Sequence, residues 1–285
     1  MFLWYATGKK EENGVIARSW LATTADGLTF RNCLADDRGT PDTSDDLYHP
    51  FSTGPGSLGK GRFMNVGAVE IDPASLAGCG APADPGTRGV LMIGSALPYR
   101  RGDVYLAYAP LDRLCSVRCL GSDCGHAWVK YYSGKEHGCW SDTEADAIGL
   151  LGDQLATGGI PQPGQSIGIG ELSVKPLPGL GFVMLSNETV CPKTGGPCTD
   201  PKAFESVVHA RFAPAATPWK WSSPVVTGAR GYGPHVVHRY TKVDGKKLIL
   251  WHLSSTWLGV GDGGEALLSP YGVQSTKSEI VLPVR

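Results

Sequence analysis

Short apolar runs separated by glycine- and proline-rich turns recur along the whole chain. Most of these runs have about four to eight residues, the usual length of a β-strand. The pattern is clearest in the middle of the chain, where residues 170–177 and 182–187 flank a Pro178-Gly179 turn and residues 207–212 follow. This arrangement predicts a β-hairpin and a third strand in the same meander.

The same pattern predicts further strands on both sides of this stretch. They are expected at residues 63–70, 90–94, 104–108, 128–132, 232–240, 248–253 and 271–284. Helix is scarce, because only residues 141–154 have a composition that could form a few helical turns, and Gly149 and Gly152 interrupt them. The sequence therefore predicts an all-β fold, with meanders repeated around a centre.

Composition limits the classes of partner. The chain has 285 residues and a net charge of −1, and no basic stretch interleaves with aromatic residues, so we expect neither nucleic acid nor an anionic membrane as partner. No apolar run approaches the roughly 18 residues of a membrane span. The N-terminus begins with strand-like residues and lacks the features of a signal peptide, so either the start of a precursor has been trimmed or the chain has none.

The eight cysteines favour disulfides, because their number is even and they lie between the predicted strands. Cys191 and Cys198 flank a tight loop that a disulfide would close. The alternative is a zinc site, although the spacing of its ligands matches no common structural zinc motif. Its candidate ligands are Cys115, Cys119, Cys124 and Cys139, with His126 or His137 nearby.

Two polar segments invite specific interpretations. Residues 24–30 resemble the Asp-box turn of sialidases and other propellers, in which Asp26 would accept backbone N–H bonds while Phe30 packs inward. Residues 31–61 form a long connection that is either a solvated loop or a calcium site made of hard oxygen ligands. Its clustered acids are Asp36, Asp37, Asp42, Asp45 and Asp46.

A set of weak motifs in a fixed order resembles a family of secreted bacterial five-bladed β-propellers that includes endo-D-arabinanases. Together they cover nearly the whole chain. The motifs are Phe63-Met64-Asn65-Val66, Tyr99-Arg100, Val104-Tyr105-Leu106-Ala107, residues 128–134, Trp140-Ser141, Gly170-Glu171-Leu172-Ser173-Val174, Pro218-Trp219, Trp221-Ser222, Tyr232-Gly233-Pro234, residues 254–257 and Pro270-Tyr271.

The resemblance implies a single five-bladed propeller over residues 1–285 whose first blade is incomplete or missing. In the arabinan-cleaving relatives, the acidic pair thought to do the chemistry lies in that first blade, within segments that have no counterpart here. The resemblance therefore implies which residues of this chain line a pocket, but it implies no catalytic residues.

Glu171 is the best candidate for a catalytic acid. Glycoside hydrolysis requires two carboxyl groups that flank the scissile bond. Glu171 is the one acid in an otherwise apolar and small-residue segment, residues 167–174, where burial would suit a general acid. The alternative is a structural role in hydrogen bonds between blades. Asp103 is the loop acid nearest to a motif and our candidate for the second carboxylate.

Other predicted site residues would bind the sugar. Tyr99 and Arg100 precede Asp103 in a turn that could bind a polar ligand or form a surface salt bridge. Asn65, His235 and His252 could line the channel, or serve as satisfied structural residues. Flat rings complement the C–H face of a sugar, and the candidates for such stacking are Tyr232, Trp257 and Tyr271.

These observations lead to one function and one alternative. The first is hydrolysis of a furanoside-containing, arabinan-like polysaccharide by paired carboxylates. The alternative is a non-catalytic propeller that binds carbohydrate or interacts at the cell surface. We expect a monomer that is secreted or displayed on the cell surface, with a polysaccharide as partner. It would need no cofactor or metal, apart from the calcium alternative.

Overall fold

A computed structural model describes residues 2–11, 14–32, 35–36, 47–48, 52–53, 61–76, 78–79, 87–96, 102–114, 118–119, 128–155, 160–193, 198–199, 204–257 and 271–282. This part of the chain consists of β-strands in several mainly antiparallel sheets, and none of the sheets seen there closes on itself. The all-β prediction is confirmed. The helices are single 3-10 turns, and in the described ranges none could cross a membrane.

The chain divides into two compact units, of which unit 1 comprises Met1–Pro98 and Val104–Leu150. Three-residue 3-10 turns lie at Pro73–Ser75, Lys135–His137 and Glu144–Asp146. The strands of unit 1 are β1 (Phe2–Glu11), β2 (Gly14–Thr23), β3 (Arg31–Asn32), β4 (Ala35–Asp36), β5 (Leu47–Tyr48), β6 (Ser52–Thr53), β7 (Asn65–Ile71), β8 (Gly89–Ser95), β9 (Val104–Pro110), β10 (Arg118–Cys119), β11 (Lys130–Gly134) and β12 (Cys139–Ser141).

Unit 1 contains three sheets. Sheet I places β2 between β1 and the short strands β3 and β6, sheet II has the order β10-β4-β5, and sheet III has the order β12-β11-β9-β8-β7. Strands β8 and β9 are buried along almost their whole length. Their apolar residues pack with Leu21, Phe63 and Tyr131 in one hydrophobic core.

Unit 2 comprises Tyr99–Asp103 and Leu151–Arg285. Among its described residues, Gly152–Gln154 form a 3-10 turn. Its strands are β13 (Ser166–Leu177), β14 (Gly181–Val190), β15 (Glu205–Ala213), β16 (Val225–Arg230), β17 (Tyr232–Val236), β18 (Lys242–Asp244), β19 (Lys247–Trp257) and β20 (Tyr271–Val281). The single-domain interpretation stays a prediction.

Two four-stranded antiparallel sheets pack together in unit 2. Sheet IV has the order β13-β14-β15-β16. In sheet V the central β19 pairs with β20 along one edge and with β17 and β18 along the other. Alternate residues of the middle strands, among them Leu185, Val208, Leu248 and Leu250, form the apolar core of the unit.

Polar side chains also join sheets IV and V. Asn187, which is fully buried, donates to the carbonyl oxygen of Gly231, and the Ser206 hydroxyl does so at 3.3 Å. The Ser278 hydroxyl donates to the carbonyl oxygen of Thr227 at 2.8 Å. These bonds satisfy buried backbone carbonyls close to the passage from β16 to β17.

The turn at residues 24–30 has the hydrogen bonds predicted for it. Oδ1 of Asp26 accepts the backbone N–H groups of Leu28 and Thr29 at 2.8 and 2.9 Å and the hydroxyl of Thr24 at 2.9 Å. These bonds lower the pKa of Asp26. Phe30 differs from the prediction, because it stays 39% exposed and does not pack inward.

Gly231 is a position where a side chain would be costly. Its φ is +122°, and a Cβ atom built there would clash with the carbonyl oxygen of Ser255. We expect Gly231→Ala to lower the free energy of unfolding by about 2–4 kcal/mol, measured by denaturant unfolding. Gly233→Ala is the matched control, since its φ is +52° but its Cβ would meet no atom within 4 Å, so about 1 kcal/mol is expected. Equal losses would contradict the steric argument.

Candidate functional site

One face of sheet IV carries charged and polar side chains, although it is buried. Alternation places Ser186 and Glu188 of β14 on the same face as His209 and Arg211 of β15, opposite to the apolar core. Ser186, Glu188 and Arg211 have no exposed surface, and His209 is 6% exposed. Because buried charges are unfavourable unless they are paired, this cluster must be internally satisfied.

Glu188 and Arg211 form a two-pronged ion pair. Nη1 of Arg211 donates to Oε1 of Glu188, and Nη2 donates to Oε2 at 3.2 Å. The Ser186 hydroxyl donates to Oε1 at 2.8 Å. Nδ1 of His209 lies 3.0 Å from Oε2, within ion-pair distance, although its N–H is not aligned for a hydrogen bond. Burial alone would raise the pKa of Glu188, but His209 and Arg211 lower it to about 2.

Arg211 also binds the loop before sheet IV. Its Nε donates to Oε1 of Gln154 at 3.1 Å, and Nε2 of Gln154 donates to the carbonyl oxygen of Trp221 at 3.3 Å. Gln154 is the last residue of the 3-10 turn Gly152–Gln154. The buried guanidinium therefore fixes the position of this turn.

Asp103 binds the other end of the same turn. Its Oδ1 accepts the N–H of Leu151 at 3.0 Å, and its Oδ2 accepts the N–H of Gly152 at 3.2 Å. Both carboxylate oxygens thus bind backbone donors that the turn itself cannot satisfy. These bonds stabilise the negative charge of Asp103.

Gly102, the residue before Asp103, forms a β-bridge with sheet IV. Gly102 pairs with Ile169 of β13, and the N–H of Ile169 donates to the carbonyl oxygen of Gly102 at 3.0 Å. Ile169 in turn pairs with Glu188 across β13 and β14. We call this closed set of contacts, through Glu188, Arg211, Gln154, Asp103 and Ile169, the Glu188 network.

Glu171 lies two residues after Ile169, the residue of the Glu188 network on β13. It is partly exposed, and it falls where the pairing of β13 with β14 is irregular, between Ile169 and Leu172. The bridge between Gly102 and Ile169 is antiparallel, so Asp103 lies opposite the residue before Ile169, which is three residues before Glu171. The Cα atoms of Asp103 and Glu171 are therefore roughly 10 Å apart. The network thus brings the two predicted acids onto neighbouring segments.

The register of sheet V gathers the predicted aromatic residues at one end. Tyr232 pairs with Ser255 across β17 and β19. Trp257, two residues beyond Ser255, pairs with Tyr271 across β19 and β20. All three positions therefore lie within a few residues of one another in the sheet.

The two predicted histidines have different surroundings. His252 has no exposed surface, its Nε2 lies 3.3 Å from the hydroxyl of Ser278, and burial lowers its pKa. This environment favours the structural alternative for His252. His235 is largely exposed on β17, and partial burial of its ring, followed by the charge of Lys175, lowers its pKa.

The remaining predicted residues are Asn65, Tyr99 and Arg100. Asn65 begins β7 in unit 1, where its Nδ2 donates to the hydroxyl of Ser95 at 3.3 Å. Tyr99 and Arg100 lie outside the described residues, so their assignment stays a prediction.

The disulfide prediction is confirmed for two pairs, Cys191–Cys198 and Cys79–Cys139. The first closes the tight loop identified in the sequence. The second removes Cys139 from the zinc alternative, because a bridged sulfur is no longer a thiolate ligand.

No metal site is visible in the described part of the chain, since no three His, Cys, Asp or Glu side chains there are close enough to hold an ion. Residues 37–46, which carry most of the acids of the calcium alternative, lie outside the described ranges. The calcium alternative therefore stays a prediction.

Sequence reasoning missed the residues that organise the site. Arg211 is a charge within a mainly apolar run, and that contrast is the signal that could have identified it, whereas Glu188 stands between the polar residues Asn187 and Thr189 and has no such signal. Gln154 has no comparable signal, because its role depends on a contact with a residue 57 positions away.

Comparisons of the chain with protein-family models, curated proteins and solved structures found no match. The fold and the site define an all-β protein with buried charges in one sheet and two disulfides. Disulfides of this kind are typical of oxidising compartments.

The low pKa of Glu188 predicts acid sensitivity. A carboxyl with a folded-state pKa of about 2 and an ordinary value of 4.5 stabilises the folded state fully above pH 4.5. That stabilisation, on the order of 3 kcal/mol, should be lost as pH falls from 4.5 towards 2. Carbon-13 NMR of the Glu188 carboxyl, with unfolding measured in parallel, tests this. A titration midpoint near 4.5 would contradict the paired geometry.

Proposed function

We propose that the chain hydrolyses a furanoside-containing, arabinan-like polysaccharide, with Glu171 as the general acid and Asp103 as the partner carboxylate. The observation that carries the proposal is the Gly102–Ile169 bridge, because it brings the segments of both acids together. Hydrolysis with inversion uses carboxyl groups about 6.5–9.5 Å apart, with a water molecule at one of them. The proposal takes the inverting mechanism, in which the two carboxyl groups leave room for that water molecule.

The two acids have environments that suit different roles. Asp103 accepts two backbone N–H groups, which fix the position of its carboxylate, and in the proposal it activates the attacking water molecule. Glu171 is partly exposed on a strand with small and apolar neighbours, and in the proposal its carboxyl group is the proton donor to the leaving oxygen.

In this proposal the sheets are blades of a five-bladed type of β-propeller. Sheets III and IV are antiparallel meanders and support this arrangement, as does the contact between the first strands of sheets IV and V, where the N–H of Val236 donates to the hydroxyl of Ser173 at 3.4 Å. The disulfides fit an extracellular protein.

Glu171→Gln tests the assignment. We expect it to lower the rate of reducing-end release from arabinogalactan by at least about 100-fold, because the amide cannot donate the proton. The matched control is Glu205→Gln, a partly exposed glutamate of the same sheet that pairs with Arg230. It should keep the wild-type rate. Activity of the Glu171→Gln variant comparable to that of the control would contradict the proposal.

The second candidate function is carbohydrate binding without catalysis. It is favoured by the aromatic positions gathered in sheet V and by the structural bonds that engage both oxygens of Asp103. If the wild-type chain releases no reducing ends from a panel of furanose and pyranose polymers, calorimetry should still detect binding. Tyr232→Ala should then weaken that binding, since stacking on its ring would be lost.

A further inference from the structure

A cavity of about 600 Å³ opens on sheet V, away from the apolar core of unit 2. Leu248 and Leu250 of β19 point into that core, so the alternate residues Trp251 and Leu253 lie on the opposite face. The volume is typical of a small-molecule site. The cavity is lined mainly by Arg239, Tyr240, Lys242, Trp251, Leu253 and Ser275.

Two aromatic rings form an angled wall of this cavity. The rings of Tyr240 and Trp251 are 6.4 Å apart between centroids and inclined at 62°. Tyr240 is 58% exposed, so a ligand can approach this residue from solvent. Angled aromatic walls of this kind complement the C–H face of a sugar ring.

The wall is held in place before any ligand binds. The hydroxyl of Thr241 accepts the N–H of Trp251 at 3.1 Å and donates to the carbonyl oxygen of the same residue at 3.3 Å. The N–H of Tyr240 donates to the carbonyl oxygen of Val237 at 3.1 Å, which closes the turn between β17 and β18. A site ordered in this way loses little conformational entropy on binding.

The residues that line the cavity include two cations and no acid. Among the described residues, neither Arg239 nor Lys242 forms an ion pair. The guanidinium of Arg239 lies 5.9 Å from the centroid of the Tyr240 ring. Glu279 on β20 is already shared by Lys277 at 3.1 Å and Lys247 at 3.7 Å.

We propose that this cavity binds an acidic saccharide, a sugar whose ring carries a carboxylate. Tyr240 and Trp251 would contact the C–H face of the sugar, and Arg239 and Lys242 would bind its carboxylate. The proposal is independent of hydrolysis by Glu171, because none of the cavity residues belongs to the Glu188 network.

Calorimetry with a galacturonate trisaccharide and the galactose trisaccharide of the same linkage tests the proposal. We expect the acidic sugar to bind at least about tenfold more tightly than the neutral one, because only the acidic sugar offers a carboxylate to the two cations. Equal affinities would overturn the role of the carboxylate. Displacement of the acidic sugar by inorganic phosphate at equal affinity would overturn the saccharide assignment, leaving an anion site only.

Substitutions of the cavity residues test whether the acidic sugar binds in this cavity. The double change Arg239→Gln with Lys242→Gln should weaken binding of the acidic sugar by at least about tenfold. The control Lys220→Gln removes an exposed positive charge elsewhere in unit 2 and should leave the affinity unchanged. Tyr240→Ala should weaken binding several-fold while Tyr240→Phe retains it. Absence of binding, or unchanged affinity in the double variant, would show that the cavity is not the site.

The two proposals fail separately. If the cavity variants lose the acidic sugar but Glu171→Gln remains as active as wild type on arabinogalactan, only the hydrolysis proposal is wrong. If Glu171→Gln is inactive while the double variant binds galacturonate normally, only the cavity proposal is wrong.

Discussion

The buried ion pair of Glu188 and Arg211 constrains the rest of unit 2. Neither side chain has any exposed surface, so each charge needs the other. Removing one partner from such a pair typically costs several kcal/mol, because the remaining charge stays buried. The pair also fixes the register of β14 against β15, since a slip of one strand by one residue would turn its charge into the apolar core on the opposite face and separate the two charges.

The same constraint reaches the candidate acids through a short series of hydrogen bonds. Arg211 binds Gln154, Asp103 binds the start of the turn that ends at Gln154, and Gly102 pairs with β13. Asp103 is therefore held by the network, and Glu171 lies on β13 two residues after the bridge at Ile169. A catalytic pair needs such fixed backbones, because small displacements of the reacting groups are costly in rate.

The sequence was informative where local patterns determine structure. Short apolar runs between turns predicted the strands, the loop between Cys191 and Cys198 predicted its disulfide, and the Asp-box-like segment predicted the hydrogen bonds of Asp26. It was uninformative where a role depends on distant contacts. The exposure of Phe30, the partners of Arg211 and the cavity beside Trp251 all depend on tertiary packing, which periodicity does not encode.

The most direct test is a crystal structure of the Glu171→Gln variant with a furanose oligosaccharide bound. The account predicts that the sugar lies between residue 171 and Asp103, with the side-chain carbons of the two groups roughly 6.5–9.5 Å apart and a water molecule at Asp103. A sugar bound away from both residues, or an Asp103 that contacts only the backbone of Leu151 and Gly152, would contradict it.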